Sequence, residues 1–217
     1  MPDSSSSSLR SVKIGSDERT GWSSERPRRE GEPERPRRPV DVSARCRVLS
    51  PTDRLRYAPG SLLLVVGADT PANEAFAARV IEEPNALLSL AKIRTLLQGR
   101  VAAEELEDKA AALLDATAAK RLAAGDSVVI PVEGLDPATR ERYVRMAHAH
   151  RRPRHLILIE TGKDRVAEED RDTLRDLRSA LDAGGLGAEG FFTALRLGGS
   201  TIGELKKVVF APPPSDA

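Results

Sequence analysis

Residues 61–77 of this 217-residue chain, SLLLVVGADTPANEAFA, place a short apolar run before a glycine and a segment of helical character. The five apolar residues at 62–66 suit a central strand that is buried on both faces, as in a parallel sheet. Gly67 ends the run, and the pattern over residues 71–81 predicts a helix. The stretch therefore predicts a buried strand, a turn and a helix in direct succession.

The turn has the layout of a phosphate-binding loop without the residues that bind phosphate. An intact P-loop reads Gly-x-x-x-x-Gly-Lys-[Ser/Thr], whereas this window reads Gly67-Ala68-Asp69-Thr70-Pro71-Ala72-Asn73-Glu74. Ala72 replaces the second glycine, Asn73 replaces the lysine that grips phosphate, and Glu74 replaces the hydroxyl that binds Mg²⁺. The nucleotide-binding positions of this degenerate loop are Gly67, Asp69, Thr70, Asn73 and Glu74.

These replacements weaken the attraction for a polyphosphate. Two unit charges about 4 Å apart interact by roughly 4 kcal/mol at an effective dielectric constant near 20, and the lost lysine forfeits an attraction of that order. Asp69 and Glu74 add repulsion, and about 4 kcal/mol is about a thousandfold in affinity. We therefore predict no cofactor and expect Mg-ATP binding to be weak or absent. The alternative is that Glu74 and Glu133 hold a magnesium ion in a rebuilt site.

Composition excludes several classes of protein. Lys plus Arg is 34 and Asp plus Glu is 33, so the formal charge of +1 predicts neither a nucleic-acid-coating protein nor an acidic buffer. A single cysteine, Cys46, excludes an internal disulfide and a cysteine-based zinc site, which is typical of a reducing compartment. No apolar run has the length of a membrane span, and the first ten residues lack the apolar core of a signal peptide. We expect a cytoplasmic protein without membrane contact.

The first part of the chain has the composition of a disordered tail. It contains a serine run at 4–8 and then ERPRREGEPERPRRP, which has almost no apolar residues and cannot offset the entropy of ordering. Residues 1–50 carry an excess of basic residues that could give salt-sensitive contact with nucleic acid or an acidic partner. A solvated linker is the alternative. We predict a disordered tail at 1–56, one domain at 57–211 and a C-terminal tail at 212–217.

Short apolar runs alternate with longer helical stretches from residue 61 onward. The predicted strands are 62–66, 86–88, 127–130, 156–159 and 193–197. This alternation predicts an α/β fold, a three-layer sandwich with a five-stranded, mostly parallel sheet and helices on both faces. In such a sheet the ligand crevice lies beyond the carboxyl ends of the strands. The residues expected there are 67–74, 89–94, 131–134, 160–165 and 198–200.

A basic cluster at 148–155, HAHRRPRH, precedes the fourth predicted strand. It is therefore expected on the rim opposite the crevice. Cations at the C-terminus of a helix are ordinary complements to its dipole. An auxiliary anion-binding patch and a metal site are the alternatives, and we predict no metal site.

Four separated stretches resemble one family. NALLSLAKIRTLL (85–97), AAKRLAAGDSVVI (118–130), GLDPATRERYVRMAHAHRRPRHLILIE (134–160) and LGAEGF (186–191) are similar to the framework of bacterial polynucleotide-kinase-like P-loop kinases. The resemblance covers about residues 61–210 and implies a P-loop NTPase-like sandwich and ATP-dependent phosphoryl transfer to nucleic acid. It also implies three motifs: the P-loop, a Ser-x-Asp-x-x-Arg sequence and an Asp-Ala-Thr-Asn-like strand end, followed by an arginine-bearing lid.

The chemistry positions depart from that family pattern. Ser89 and Arg94 match the second motif, but Ala91 stands where the family has the aspartate that activates the acceptor hydroxyl. Pro131 takes the acidic position of the third motif, in the sequence Pro-Val-Glu-Gly. We therefore predict no catalytic residue. Glu133 is the one residue of that segment that could take the place of the missing acid.

Arginines remain as candidate contacts to phosphate. By resemblance, Ser89 and Arg94 would contact the phosphate of a nucleic-acid substrate, and the alternative is a salt-bridged surface arginine. The lid candidates are Arg165, Arg171, Arg175 and Arg178. The last three share one helical face and could clamp phosphates, although the acidic residues between them equally favour an internally paired, solvated helix.

Three functions remain open from the sequence. The leading expectation is a catalytically degenerate kinase-like protein that binds a nucleotide, a nucleic-acid end or a protein partner. The second is an active kinase in which Glu133 or Asp69 serves as base. The third is a structural subunit whose crevice is packed shut. The oligomeric state is open.

Overall fold

A computed structural model of the chain describes residues 40–212. The predicted N-terminal tail up to residue 39 and the C-terminal tail beyond residue 212 lie outside the described residues. The strands are β1 (Arg47–Leu49), β2 (Arg54–Tyr57), β3 (Leu62–Val66), β4 (Val128–Pro131), β5 (Arg154–Glu160), β6 (Thr193–Gly198) and β7 (Lys207–Phe210). The α-helices are α1 (Thr70–Val80), α2 (Leu90–Leu97), α3 (Leu106–Ala124), α4 (Pro137–Ala149), α5 (Asp170–Asp182) and α6 (Thr201–Glu204).

Five strands form one parallel sheet in the order β1-β6-β5-β3-β4, and β2 pairs with β7 in a separate parallel ribbon. Strand β3 lies inside the sheet, with Leu62 opposite Val128 on one side and Arg154 on the other. All five of its residues are completely buried, as its unbroken apolar sequence predicts. The predicted α/β fold class is confirmed.

Two apolar clusters cover the two faces of the sheet. One face packs against α3, α4 and α5, through residues such as Leu122, Val144 and Leu177. The other packs against α1 and the β2–β7 ribbon, through residues such as Phe76 and Val208. Alternate residues of β3 contribute to opposite clusters, which makes this strand the centre of the three layers.

The predicted second strand at 86–88 is reduced to a single bridge. Residues Pro84–Ala86 form a 3₁₀ turn, and only Leu87 forms an isolated parallel bridge, to Val129 of β4. The Leu88 N–H donates to the Val129 carbonyl at 2.9 Å. A proline at the first position of the turn fixes φ and offers no N–H, so the ladder does not extend toward the amino end.

The fifth strand of the sheet is β1, in a segment that the sequence predicts as tail. Three of the four residues of β2 lie in that segment as well, so strands occur on the tail side of the predicted boundary at residue 56. In β2 the side chains alternate: Leu55 and Tyr57 are buried, whereas Arg54 and Arg56 are exposed. The β1 residues are exposed or only partly buried, because this short strand lies at the sheet edge.

Within the part of the chain that the structure describes, none of the helices combines the length and the apolar character that a membrane crossing requires.

Candidate functional site

The chain order of the sheet marks one ligand crevice. From β3 the chain moves outward to β4 and then returns to the other side of β3 to form β5. In a parallel sheet this reversal opens a crevice at the carboxyl ends of the strands. We call this side of the molecule the crevice edge, meaning the residues that follow the strands at 67–69, 132–134, 161–162 and 198–200, with the helix starts beside them.

The predicted phosphate loop is much shorter than its sequence window. Helix α1 begins at Thr70, so only Gly67, Ala68 and Asp69 separate it from β3. Asp69 is the N-cap, and its side chain accepts a hydrogen bond from the Ala72 N–H at 2.9 Å. This cap starts the helix within the window, so no extended glycine-rich loop surrounds a phosphate.

The first turn of α1 has few free N–H groups for an anion. Pro71 has no N–H, the Ala72 N–H is occupied by the Asp69 side chain, and the Asn73 N–H donates to the Asp69 carbonyl at 3.0 Å. The turn therefore offers a phosphate at most the N–H of Thr70. A helix N-terminus binds anions through such free amides, and this one has lost most of them.

The Asn73 side chain fills the space above the glycine. It is fully buried, and its Nδ2 donates to the Gly67 carbonyl at 3.0 Å and to the Val132 carbonyl at 3.4 Å. A Cβ atom at Gly67 would lie 2.5 Å from Asn73 Oδ1 and 2.6 Å from the Ile159 carbonyl oxygen. The amide thus links the loops after β3 and β4. The residues at this loop do not fit a polyphosphate.

Glu74 lies beside this loop, half-buried, and its Oε1 is buried without a hydrogen-bond partner among the described residues. Burial raises the pKa of the Glu74 carboxyl; the Ser89 hydroxyl and the charge of Lys92 act in the opposite direction, and Glu133 adds to the increase. Ser89 is buried and caps α2 by accepting the Lys92 N–H at 3.1 Å. The structure therefore brings Glu74, Ser89 and Glu133 together at the crevice edge.

Arg94 is held between two carboxylates. Its Nη1 and Nη2 contact both oxygens of Glu133, the latter at 2.8 Å, while Nε contacts both oxygens of Glu107 at 2.9 Å. The hydrogen bonds that Arg94 donates to Glu133 and then to Glu107 raise the pKa of Arg94 further above its usual range. Its assignment as a phosphate contact stays a prediction, and in this structure Arg94 is salt-bridged.

Glu133 is committed to Arg94 through both of its oxygens, which opposes the rebuilt magnesium site. Over residues 40–212, no group of three or more His, Cys, Asp or Glu side chains is placed to hold a metal ion. Ala91 lies in α2, and Pro131 is the last residue of β4. Neither side chain can exchange a proton at the two positions where the resemblance implies an acid.

The candidate lid arginines are also paired. Arg165 is exposed and contacts Asp69 Oδ2 at 3.4 Å. Arg171 pairs with Glu168 at 2.6 Å, Arg175 pairs with Asp172, and Arg178 pairs with Glu160. Of these candidates, only Arg165 reaches the shortened loop, and phosphate binding by the lid stays a prediction.

The crevice edge is open beside β5 and β6. A cleft of about 460 Å³ is lined by Pro51, Glu160, Thr161, Gly162, Arg196, Gly198, Gly199 and Thr201. Glu160 is largely buried there and accepts from Arg178 and Arg196, the latter at 2.9 Å. Sequence reasoning missed Arg196, although a charged residue inside an apolar strand is an available signal.

Comparisons with known proteins place this chain near no characterised family. No protein-family model matches it, and a search of curated proteins finds no match. One similar solved structure is a crystal structure of a candidate kinase from Chloroflexus aurantiacus, with 18% sequence identity and a TM-score of 0.41. The match covers 66% of this chain and 87% of that chain. At this level the likeness shows neither family nor activity, and the resemblance to polynucleotide-kinase-like proteins stays a prediction.

Proposed function

We propose that this protein is a non-catalytic binding module on a kinase-like α/β scaffold, with a nucleotide loop closed by its own side chains. The observation that carries this proposal is the buried Asn73 amide bonded to the Gly67 carbonyl. In a phosphate-binding loop the bound phosphate occupies the space above this glycine. Here α1 begins early, and Asn73 takes the space instead.

The charges of the crevice edge support the same function. Arg94 faces Glu107 and Glu133, Arg165 faces Asp69, and Glu160 binds Arg178 and Arg196. An incoming polyphosphate must displace a carboxylate from each arginine that it contacts. Each exchange replaces one ion pair by another of similar strength, so it yields little net attraction.

The binding function therefore falls to other surfaces of the molecule, with a nucleic acid, a nucleotide or a protein as partner. A structural subunit is the closely related alternative, because a closed nucleotide loop serves both functions equally well. The two functions differ in one property: a binding module binds a ligand saturably on another face, and a structural subunit does not.

Titration calorimetry of the full chain with Mg-ATP tests this proposal. We expect a dissociation constant above about 1 mM, which corresponds to less than about 4 kcal/mol of binding free energy. Circular dichroism of the same sample establishes that the protein is folded. Micromolar affinity would contradict the closed loop.

An active kinase is the second candidate, and one observation favours it. Glu74 is a carboxyl with a raised pKa beside the buried Ser89, and perturbed carboxyls are common in active sites. Transfer of radiolabelled phosphate from ATP to an oligonucleotide with a 5′-hydroxyl group tests it. Turnover that is abolished by Glu74→Gln or by Glu133→Ala would support the enzyme and overturn the non-catalytic proposal.

A further inference from the structure

A basic groove lies at the edge of the sheet opposite the crevice edge, where β5 and β6 begin. Its volume is about 530 Å³, and its lining residues are His148, Ala149, Arg151, Arg152, Arg154 and Phe192. Within the described part of the chain no acidic side chain lines it. We call it the amino-edge groove.

Arg154 is a buried cation without a carboxylate partner in residues 40–212. It is only 4% exposed; its Nε donates to the Gly190 carbonyl at 2.7 Å and its Nη1 lies 2.8 Å from His148 Nδ1. Burial lowers the pKa of Arg154, although arginine stays charged at neutral pH. Because a buried charge is unfavourable unless it is paired, an anion bound at this site would stabilise the Arg154 guanidinium.

Two acidic side chains close to residues of the groove in sequence or in space have other partners. Glu189, next to Gly190, accepts from Arg140 Nε at 2.9 Å and Nη2 at 3.0 Å. Asp41, whose pKa is lowered mainly by its hydrogen bonds with Ser43 and slightly by His148, accepts those bonds at Oδ1. Neither forms a salt bridge with Arg154.

Arg151 occupies a backbone conformation that favours glycine. Its φ is 55°, and among the described residues it is the one non-glycine residue with positive φ. It follows the end of α4, where the Arg152 N–H donates back to the Ala147 carbonyl at 2.9 Å, a helix end that normally carries glycine. An exposed arginine at this position is consistent with a role in binding.

Helix-dipole complementation accounts for only part of the cluster. Arg152 Nε donates to the Leu122 carbonyl near the end of α3 at 2.8 Å, and Arg151 lies at the end of α4. Arg154 instead begins a strand, so no helix end requires its charge.

An aromatic ring completes the groove. Phe192 is 39% exposed, and the Arg154 guanidinium carbon lies 4.7 Å from the centre of its ring. Proteins that bind single-stranded nucleic acid combine such features, because phosphates contact the cations and a base stacks on the ring.

We propose that the amino-edge groove binds single-stranded nucleic acid, with backbone phosphates on Arg151 and Arg154 and a base against Phe192. This site would bind the ligand of the non-catalytic module, but it does not depend on the nucleotide loop being closed. Failure of one proposal is therefore separable from failure of the other.

Fluorescence anisotropy of the full chain with a labelled ten-nucleotide oligothymidine tests the assignment. We expect saturable binding that weakens about sevenfold between about 50 mM and about 200 mM salt, the single-strand slope for two neutralised phosphates. An absence of binding overturns the proposal. So does equal binding of an acidic polyglutamate chain, because that result would reflect charge alone.

Two variants locate the binding without touching the buried arginine. Arg151→Glu reverses an exposed charge and is expected to weaken binding at least tenfold, and Phe192→Ala removes the stacking ring with about a tenfold loss. Arg100→Glu, at an exposed position after α2, makes the same charge change outside the groove and is the matched control, with less than about a threefold effect expected. Unchanged binding in both groove variants would assign it to another part of the chain and overturn the proposal.

Discussion

The two edges of one sheet carry arginines in opposite electrostatic states. At the crevice edge, Arg94 is held by two carboxylates and Arg165 faces Asp69. At the amino edge, Arg154 is buried with a carbonyl oxygen, an imidazole nitrogen and an aromatic ring as neighbours. The number of arginines therefore does not identify an anion site. The pairing of each arginine does, because only an uncompensated cation gains from an added anion.

Restoring the missing lysine has the largest expected effect on this comparison. Asn73→Lys places an ammonium group where a fully buried amide now lies, and we expect a loss of about 3 kcal/mol or more of unfolding free energy. Mg-ATP binding is not expected to appear. Urea unfolding and calorimetry measure the two effects.

Ala78→Lys, on an exposed position of α1, is the matched control and is expected to change stability by less than about 0.5 kcal/mol. A stable Asn73→Lys protein that binds Mg-ATP would show that one missing lysine accounts for the loss of nucleotide binding at the crevice edge. The two edges would then not differ as we describe.

Acid sensitivity should come from the amino edge. His155 follows Arg154 in β5, stacks on Tyr57 with ring centres 4.1 Å apart and contacts Thr193 Oγ1 at 2.9 Å. Burial, with a smaller contribution from the Arg154 charge, lowers the pKa of His155 from 6.5 to about 3. The folded protein therefore holds a neutral imidazole, whereas the unfolded chain takes up a proton as the pH falls through 6.5.

Because the unfolded state binds more protons in that window, stability is complete above pH 6.5 and falls toward pH 3. At about pH 5 we expect a loss of about 2 kcal/mol. Urea unfolding across this range measures it. His155→Gln should flatten the profile and His150→Gln should leave it unchanged; an identical slope in His155→Gln would place the acid-sensitive group elsewhere.

A methyl group at Gly67 tests how tightly the crevice edge is closed. Gly67→Ala is expected to lose about 1–3 kcal/mol through overpacking against Asn73 and the Ile159 carbonyl. Gly203→Ala in α6 is the control, because an added Cβ there has no neighbour within 4 Å. We expect a gain of up to about 1 kcal/mol for the control. Equal stability of wild type and Gly67→Ala in thermal unfolding would mean that the loop is open.

The smallest expected effect is the coupling between Arg94 and Glu133. Both side chains are partly exposed, at 28% and 33%, so a double-mutant cycle with Arg94→Met and Glu133→Gln should give about 1 kcal/mol or less. Neither change should alter oligonucleotide binding. If Arg94→Met weakened that binding as much as Arg151→Glu, nucleic acid would contact the crevice edge, and the distinction between the edges would disappear.

The central layer of the fold is predictable from local sequence. Residues 62–66 are uniformly apolar, and only a strand covered on both faces buries such a run completely. The start of α1 is predictable as well, since Asp69 precedes Thr70 and Pro71 in the pattern of an N-cap with an early proline. This N-cap pattern overlaps the P-loop window, and it predicts the short loop that the structure has.

Other features depend on residues that are distant in the chain. Arg94 meets Glu107 and Glu133 only after α2, α3 and β4 have packed together. Strand β1 has only three residues and lies at an edge, where Val48 is exposed and Leu49 only partly buried, so no buried apolar run marks it in the sequence. The burial of Arg154 follows from Phe192 and α4 packing over the first residue of β5. Hydrophobic periodicity along the sequence does not predict these long-range contacts.

The pairing of β1 with β6 and of β2 with β7 has a consequence for synthesis on the ribosome. Leu55 can pair with Val208 only after that residue has been translated, about 150 residues later. At typical elongation rates that delay is on the order of ten seconds. Throughout this interval β2 of the nascent chain presents an unpaired edge, and such edges favour chaperone binding and aggregation until the partner strand has been translated.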